Sequence, residues 1–242
     1  MAMHPSLSKP LANNHISVDC VVLGWDGDLL KVLLIGRDNE GADYNDMKLP
    51  GSLIYQDEDL DEAASRVLGE LTGMHGVGLV QYKAYGSKDR TRNPRDIIWL
   101  ERAQKAHVER IVTIAYITML RLTPSSSAKL SGYNAKWTPI ENVGTLAFDH
   151  NLILREALVQ MRTMVSNDPS LLFKLLPRKF TLAQLRHLFE VVYDKQIDVR
   201  NFHKKVAALP YVVPLDEYQQ GVAHRAARYF KFDRKGYNHL RR

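Results

Sequence analysis

The stretch from Gly51 to Met74 constrains the fold of this chain more than any other. Leu49-Pro50-Gly51 follows a strand-like run, and Leu60–Leu71 then has the apolar spacing of an amphipathic helix. Acidic residues open this helix, where they favour the positive end of its dipole, and Gly73 follows it as a residue suited to end it. The stretch therefore predicts a loop, a helix and a second loop.

The same stretch resembles the signature of the Nudix family: a Gly, a Glu, and then Arg-Glu-apolar-x-Glu-Glu-x-Gly-apolar. In that family, carboxylates at i, i+3 and i+4 share one helix face and hold divalent cations against a diphosphate. Here Val67 and Leu71 replace the first and last of these carboxylates, so Glu70 alone remains as a metal ligand. The alternative is an ordinary amphipathic helix. The matching residues are Gly51, Glu58, which comes one position late, Arg66, Leu68, Glu70, Gly73 and Met74.

The composition predicts a soluble protein with two domains. The chain has 242 residues, of which 45% are hydrophobic and 25% charged. Its longest apolar run, Ile111–Leu120, is too short to span a bilayer, so no membrane partner is expected. Cys20 has no second cysteine with which to form a disulfide, which suits a reducing, cytoplasmic location. Residues 1–15 are predicted to be a flexible tail.

Charge is unevenly divided along the chain. Residues 170–242 carry 15 basic and 6 acidic residues, a net charge of +9, whereas the preceding residues carry 18 and 21, a net charge of −3. Such asymmetry favours a polyanion-binding module joined to a near-neutral domain. A solvated basic surface explains the charge equally well.

Several cations and an aromatic group could surround a ligand in the first domain. Ser17–Trp25 and Leu29–Arg37 predict two strands joined by Asp26-Gly27-Asp28, with Arg37 near a possible phosphate. The basic loop Gly86–Asp96 could bind phosphates or could be a mobile solvated loop. The insertion Ile97–Glu109 could form a short helix over the site. The predicted ligand-binding residues are Arg37, Lys48, Gly51, Ser52, Glu70, Arg90, Arg92, Arg95, Arg110, Phe148 and His150.

Phe148-Asp149-His150 precedes a helical pattern through Val165 and resembles a group found in several Nudix branches. His150 could contact the ligand, or it could begin the helix, with Asp149 as its N-cap. Asn167-Asp168-Pro169 then marks the predicted domain boundary, and 16–165 is assigned to the first domain.

The second domain, 166–242, has the element order of a winged helix-turn-helix. A short first helix is predicted over Ser170–Leu176. A second starts at Thr181, which forms a capping box with Gln184, and a third covers Val199–Leu209, with Asp198 as N-cap. Strands are predicted at Tyr211–Leu215 and Arg228–Phe232. The third helix of such a domain enters the major groove of double-stranded DNA, although a protein-binding role is also possible. The predicted DNA-binding residues are Thr181, Gln184, Arg200, Asn201, His203, Lys204, Lys205, Arg225 and Arg228.

Both halves together resemble the NrtR family of Nudix-related transcriptional regulators of NAD metabolism. In the second half the likeness is carried by Phe180-Thr-Leu-Ala-Gln-Leu-Arg, Arg200-Asn201-Phe202-His-Lys-Lys205 and His224-Arg225-Ala226-Ala227-Arg228. The resemblance implies an α/β fold, namely a Nudix-type α/β/α sandwich with a mixed sheet, followed by a small α+β winged helix-turn-helix domain. Other regulators related to this family respond to sugars as their effectors.

The resemblance also implies a function. It predicts a homodimeric repressor that binds a palindromic operator at NAD biosynthesis or salvage genes and leaves it when ADP-ribose binds. No catalytic residue and no required cofactor are predicted, and any Mg²⁺ would bind weakly through Glu70. The competing hypothesis is an active ADP-ribose pyrophosphatase in which the Asp57–Glu62 cluster replaces the missing carboxylates.

Overall fold

The computed structural model describes residues 12–37, 46–104, 110–128, 130–221 and 226–240. They divide into two compact units. The N-terminal unit comprises the described residues up to Val22, together with Val32–Thr118 and Ser127–Ala157. The C-terminal unit comprises Leu23–Lys31, Met119–Ser126 and the described residues from Leu158 onward.

Seven strands of the described chain form one sheet. Its main order is β3-β2-β1-β6-β5, while β4 pairs with β1 and β7 pairs with β2. The β1 segment Val18–Leu23 is almost fully buried, which makes this strand the centre of the hydrophobic core. The strands are β1 (Ala12–Trp25), β2 (Leu30–Gly36), β3 (Met47–Lys48), β4 (Gly51–Tyr55), β5 (Val80–Tyr85), β6 (Val112–Arg121) and β7 (Ala135–Pro139).

Two helices cover opposite faces of β1. The Cys20 thiol reaches the carbonyl of Ala64 on α1 (Leu60–Thr72), at 3.7 Å. The neighbouring Asp19 faces His150, the first residue of α4 (His150–Asn167). Because successive side chains of a strand point to opposite faces, α1 and the start of α4 lie on opposite sides of the sheet. The predicted α/β/α arrangement is confirmed.

The helix α1 forms where the sequence predicts it, because its ends are locally encoded. Asp59 accepts a hydrogen bond from the Glu62 backbone, and the Glu62 carboxylate accepts one from the Asp59 backbone. Gly73 ends the helix at φ 69°, and a Cβ there would lie 2.7 Å from the Tyr133 ring.

Several boundaries differ from the sequence predictions. β1 begins at Ala12, which pairs with Tyr55, so the last residues of the predicted 1–15 tail belong to the sheet. The apolar run Val77–Tyr82 predicts a strand, and the observed β5 begins at Val80, where its pairing with β6 starts. The insertion forms a helix, α2 (Pro94–Gln104), as predicted, but the helix begins three residues earlier than the insertion. A short helix, α3 (Pro124–Ala128), follows β6.

The C-terminal unit contains a helix-turn-helix and a small sheet of order β8-β10-β9. Aromatic packing holds the sheet to the helices, with the rings of Phe173 and Phe232 stacked at 4.4 Å. Its elements are α5 (Ser170–Phe173), β8 (Phe180–Thr181), α6 (Leu182–Tyr193), α7 (Val199–Ala207), β9 (Val212–Tyr218), β10 (Arg228–Phe232) and α8 (Arg234–Leu240). In the described residues, no helix is long and apolar enough to cross a membrane.

Candidate ligand cavity and nucleic-acid interface

The N-terminal unit contains a cavity of about 60 Å³ beside β1. One part of its wall is polar and the other part is apolar, as is common for sites that bind small molecules. The polar part comprises Ser17, Asp19, Lys48, Ser52, Arg90, Thr91 and His150, and the rest comprises Gly51, Leu53, Trp99, Leu100, Ile111 and Phe148.

A buried carboxylate, Asp19, lies at the centre of the polar part. The Leu49 N–H donates to His150 Nδ1 at 2.9 Å, so Nε2 carries the imidazole hydrogen and faces Asp19 Oδ1 at 3.4 Å. Arg90 Nη2 lies 3.5 Å from the other Asp19 oxygen. Burial alone would raise the pKa of Asp19, but His150 and Arg90 outweigh it and hold that pKa below its ordinary value. His150 acts here as a hydrogen-bond donor, and Arg90 supplies the permanent charge.

Arg90 is held by a second carboxylate. Its Nε and Nη2 donate to the two oxygens of Asp149, at 3.2 and 2.9 Å. Asp149 immediately precedes α4, and its carbonyl accepts hydrogen bonds from the Leu152 and Ile153 N–H groups while its carboxylate binds the guanidinium. Arg90 and His150 both contact Asp19, which agrees with the prediction that they belong to one site.

Lys48 is a buried amine beside the cavity. Its Nζ donates to the Gly51 carbonyl at 2.7 Å and lies 5.5 Å from the centre of the Trp99 ring. Burial lowers the pKa of Lys48 to about 8, although the Asp19 carboxylate opposes this effect. The Lys48 amine therefore loses its proton, and its positive charge, near pH 8.

Arg37 does not line the cavity, so its predicted phosphate contact has no support here. Its side chain is only 1% exposed and donates to Asp96 and Asp46, in each case at 2.6 Å. Asp96 in turn accepts from the Phe148 N–H at 3.0 Å and thereby fastens the start of α2 beside the cavity. Phe148 has φ 55°, an uncommon conformation for a residue with a side chain, and this backbone places its ring in the cavity wall.

The other predicted ligand-binding residues divide into two groups. Gly51 and Ser52 line the cavity, and a Cβ on Gly51 would lie 1.9 Å from Asp19 Oδ1, so this position requires glycine. Arg92, which is 80% exposed, Arg95 and Arg110 are on the surface and do not line the cavity. The basic loop thus contributes Arg90 to the cavity wall while its other arginines face solvent.

Glu70 is not placed as a metal ligand. It is 53% exposed and forms an ion pair with Arg66, which also binds Glu58. Among the described residues, no group of three His, Cys, Asp or Glu side chains could hold a metal ion. The residues present do not fit a Nudix magnesium centre.

Sequence reasoning missed three residues of this region: Asp19, Asp149 as an arginine partner, and Trp99. Asp19 could have been recognised as a lone carboxylate inside the apolar run Val18–Leu23, since an unpaired buried charge is costly. Asp149 binds Arg90, which lies 59 positions away in the chain, so the local sequence around Asp149 gives no sign of this role.

The α7 helix presents a polar and basic surface. Asp198 caps it by accepting from the Asn201 N–H at 2.9 Å, and Phe202 and Val206 are buried, as predicted. The structure also exposes Val199, to 47%, in the first turn. The predicted contacts Arg200, Asn201, His203, Lys204 and Lys205 are all exposed.

The other predicted DNA-binding residues are buried, bonded to neighbouring groups, or outside the described residues. Thr181 is 2% exposed and its hydroxyl caps α6, so its prediction as a DNA contact is wrong. Gln184 is exposed and completes the capping box. Arg228 donates to the Leu215 carbonyl and to Asp216, which ties β10 to β9. Arg225 lies outside the described residues.

Comparison with known proteins agrees with this architecture. Residues 172–232 match the family model of the NrtR DNA-binding winged helix domain. A curated relative from Acinetobacter baylyi, the ADPR responsive transcriptional repressor NtrR, is 24% identical over 227 residues, which cover 92% of this chain and 84% of the relative.

Two solved structures share the fold. Shewanella oneidensis NrtR in complex with a 27mer DNA matches with a TM-score of 0.66 and 23% identity, covering 92% of this chain and 95% of that one. A MutT/nudix family protein from Enterococcus faecalis matches with a TM-score of 0.62 and 22% identity, covering 96% and 90%.

The fold defines the class of this protein: a Nudix-type α/β domain followed by a winged helix domain. Within that class, residues 172–232 match the NrtR winged helix model, and most of the chain is similar to the repressor from Acinetobacter baylyi. The family resemblance seen in the sequence is confirmed.

The ion pairs of Arg90 predict a large difference between two neighbouring arginines. Arg90→Met should lower the free energy of unfolding by about 3–5 kcal/mol, because it leaves Asp19 and Asp149 without their buried cation. Arg92→Ala, the matched control in the same loop, should change it by less than about 0.5 kcal/mol. Urea unfolding followed by circular dichroism measures both. Equal effects of the two substitutions would contradict the assigned role of Arg90.

Proposed function

We propose that this chain is a transcriptional repressor of NAD biosynthesis or salvage genes that leaves its operator when ADP-ribose binds to the N-terminal unit. The observation that carries the proposal is the exposed polar and basic surface of α7 within a domain that matches the NrtR DNA-binding winged helix. The name of the relative from Acinetobacter baylyi supports both the repressor activity and the effector.

We infer that the chain does not hydrolyse ADP-ribose. Val67 and Leu71 stand where the family signature has carboxylates, and Glu70 is paired with Arg66. The Asp57–Glu62 cluster offers poor replacements, because most of its carboxylates already have structural partners: Glu58 binds Arg66, Asp61 binds Tyr116, and Asp59 and Glu62 cap α1. With Mg²⁺ present, turnover of about 1 s⁻¹ or faster would overturn this inference.

The cavity can enclose only part of an ADP-ribose molecule in the present arrangement. Pockets that enclose a whole ligand of that size have volumes of roughly 300–1,000 Å³, against about 60 Å³ here. Trp99 and Leu100 of α2 form part of the wall, so a displacement of α2 would enlarge the cavity. The proposed ligand therefore enters by moving this helix, while Arg90 and Lys48 supply positive charge near its phosphates.

The DNA-bound form is proposed to be a homodimer. A single α7 helix of nine residues offers few base contacts. Pairing two copies by two-fold symmetry doubles these contacts and matches an operator made of inverted half-sites.

The α7 surface predicts two kinds of mutational effect on operator binding. Arg200→Ala or Asn201→Ala should cost about 1–3 kcal/mol mainly on the cognate operator, because these side chain types read guanine and adenine edges. Lys204→Ala or Lys205→Ala should weaken binding to all sequences and reduce its salt dependence, because they would contact phosphates. Fluorescence anisotropy with operator and scrambled DNA at several salt concentrations separates the two effects.

Lys136→Ala, which removes an exposed lysine from β7 of the N-terminal unit, is the matched control and should leave both affinities unchanged. Unchanged operator affinity in a protein carrying all four α7 substitutions would show that α7 is not the recognition helix.

ADP-ribose is predicted to weaken operator binding. The expected coupling is about 1–3 kcal/mol, or roughly 5–150-fold in the dissociation constant of the operator, because effector and DNA would favour different arrangements of the two units. Anisotropy titrations with and without saturating ADP-ribose measure this ratio, with AMP as a control ligand. An identical operator affinity in both titrations would refute the proposed regulation, since a ligand that binds both states equally shifts nothing.

The lowered pKa of Lys48 predicts how ADP-ribose binding depends on pH. Below about pH 8 the amine is protonated and attracts the diphosphate, whereas above it the free protein has lost that charge. Ligand binding then requires uptake of a proton, so affinity should be flat at lower pH and fall by up to about tenfold per unit above pH 8. Calorimetry from pH 7 to 9 tests this, and Lys48→Met should remove the fall. A fall of the same size in Lys48→Met would assign it to another group.

A further inference from the structure

A side chain of the helix-turn-helix contacts the turn between β1 and β2. His187, on α6, points its Nε2 at the Asp28 carbonyl, at 2.8 Å, and at the Asp28 carboxylate, at 3.2 Å. The His187 ring also packs on the indole of Trp25, with ring centres 5.5 Å apart. Trp25, Asp28 and His187 all belong to the C-terminal unit, although the first two residues stand near the start of the chain.

This turn is held rigidly. Asp26 accepts hydrogen bonds from the backbone N–H groups of Asp28 and Leu29, at 2.9 and 2.8 Å, and pairs with Lys31 at 2.7 Å. The Trp25 carbonyl accepts from the Leu122 N–H at 2.7 Å, and the Trp25 side chain is 2% exposed. The turn therefore moves with β1 rather than independently of it.

The strand that ends at Trp25 also forms a wall of the cavity. Ser17 and Asp19 line the cavity, and Trp25 follows Asp19 six positions later on the same strand, about 20 Å along it. Between them, Val18–Leu23 is almost fully buried and lies between β2 and β6. Closely packed elements of this kind transmit small displacements instead of absorbing them.

On the other side of His187, α6 is joined to the recognition helix α7. The rings of Phe189 and Phe202 pack with centres 5.8 Å apart. Glu190 accepts a hydrogen bond from the Ile197 N–H, at 2.9 Å, and so fixes the connection between the two helices. A rotation of α6 would therefore carry α7 with it.

We propose that β1 transmits the effector signal from the cavity to the helix-turn-helix, through the contact of Trp25 and Asp28 with His187. A ligand that touches Ser17 or Asp19 displaces β1, the turn presses on His187, and α6 and α7 change orientation. This inference rests on the proposed function and adds the route of its regulation. His187 is a positioning residue in this proposal, because it lies on α6 and neither lines the cavity nor belongs to α7.

The test compares two substitutions of His187 in the full chain. His187→Ala removes both the ring packing and the hydrogen bonds, whereas His187→Phe keeps an aromatic ring against Trp25. We measure operator affinity with and without ADP-ribose, and ADP-ribose affinity of the free protein. His187→Ala should keep each separate affinity within about twofold while the coupling ratio falls from about 5–150-fold to less than about twofold. His187→Phe should retain part of the coupling.

Lys31→Ala is the matched control, because it removes one partly exposed ion pair while the two backbone hydrogen bonds to Asp26 still hold the turn and the contacts of His187 remain. It should preserve the coupling. Undiminished coupling in His187→Ala, or an equal loss in Lys31→Ala, would overturn the proposed route. Absence of operator binding or of coupling in the unsubstituted protein would instead refute the proposed function, so the two failures are distinguishable.

Discussion

The N-terminal unit depends on the buried carboxylate of Asp19. A charge placed inside an apolar strand is stable only with partners, and those of Asp19 include the Arg90 guanidinium and the His150 Nε2–H. Arg90 brings the basic loop to the sheet, while His150 brings in the start of α4 and, through the Leu49 N–H, the entry to β4. One ionised group thus assembles the polar wall of the cavity from three distant parts of the chain.

The residues that resemble the Nudix signature form structural ion pairs with one another. Arg66 lies between Glu58 and Glu70 and stacks on the Tyr55 ring, with its guanidinium carbon 3.8 Å from the ring centre. Carboxylates committed to a cation in this way are poor ligands for Mg²⁺. In the residues that the structure describes, these side chains form ion pairs and ring contacts, which is consistent with the proposed binding of a diphosphate ligand as a signal.

Locally encoded features could be predicted from the sequence. The capping residues Thr181 and Asp198 mark the starts of α6 and α7 because a cap and its helix are adjacent in the chain. The roles of cations could not be predicted in the same way. Arg37 and Arg90 have the same side chain chemistry, yet partners 59 positions away, Asp96 and Asp149, fix each of them.

In the proposed function, ADP-ribose is a signal for this protein and not its substrate. The most direct test follows the anisotropy of labelled operator over several hours after a limited amount of ADP-ribose is added with Mg²⁺. We expect release of the DNA that persists unchanged, because the ligand remains intact. No release would contradict the proposed regulation. Release followed by rebinding, as ADP-ribose is converted to AMP and ribose phosphate, would show that the protein is an active hydrolase.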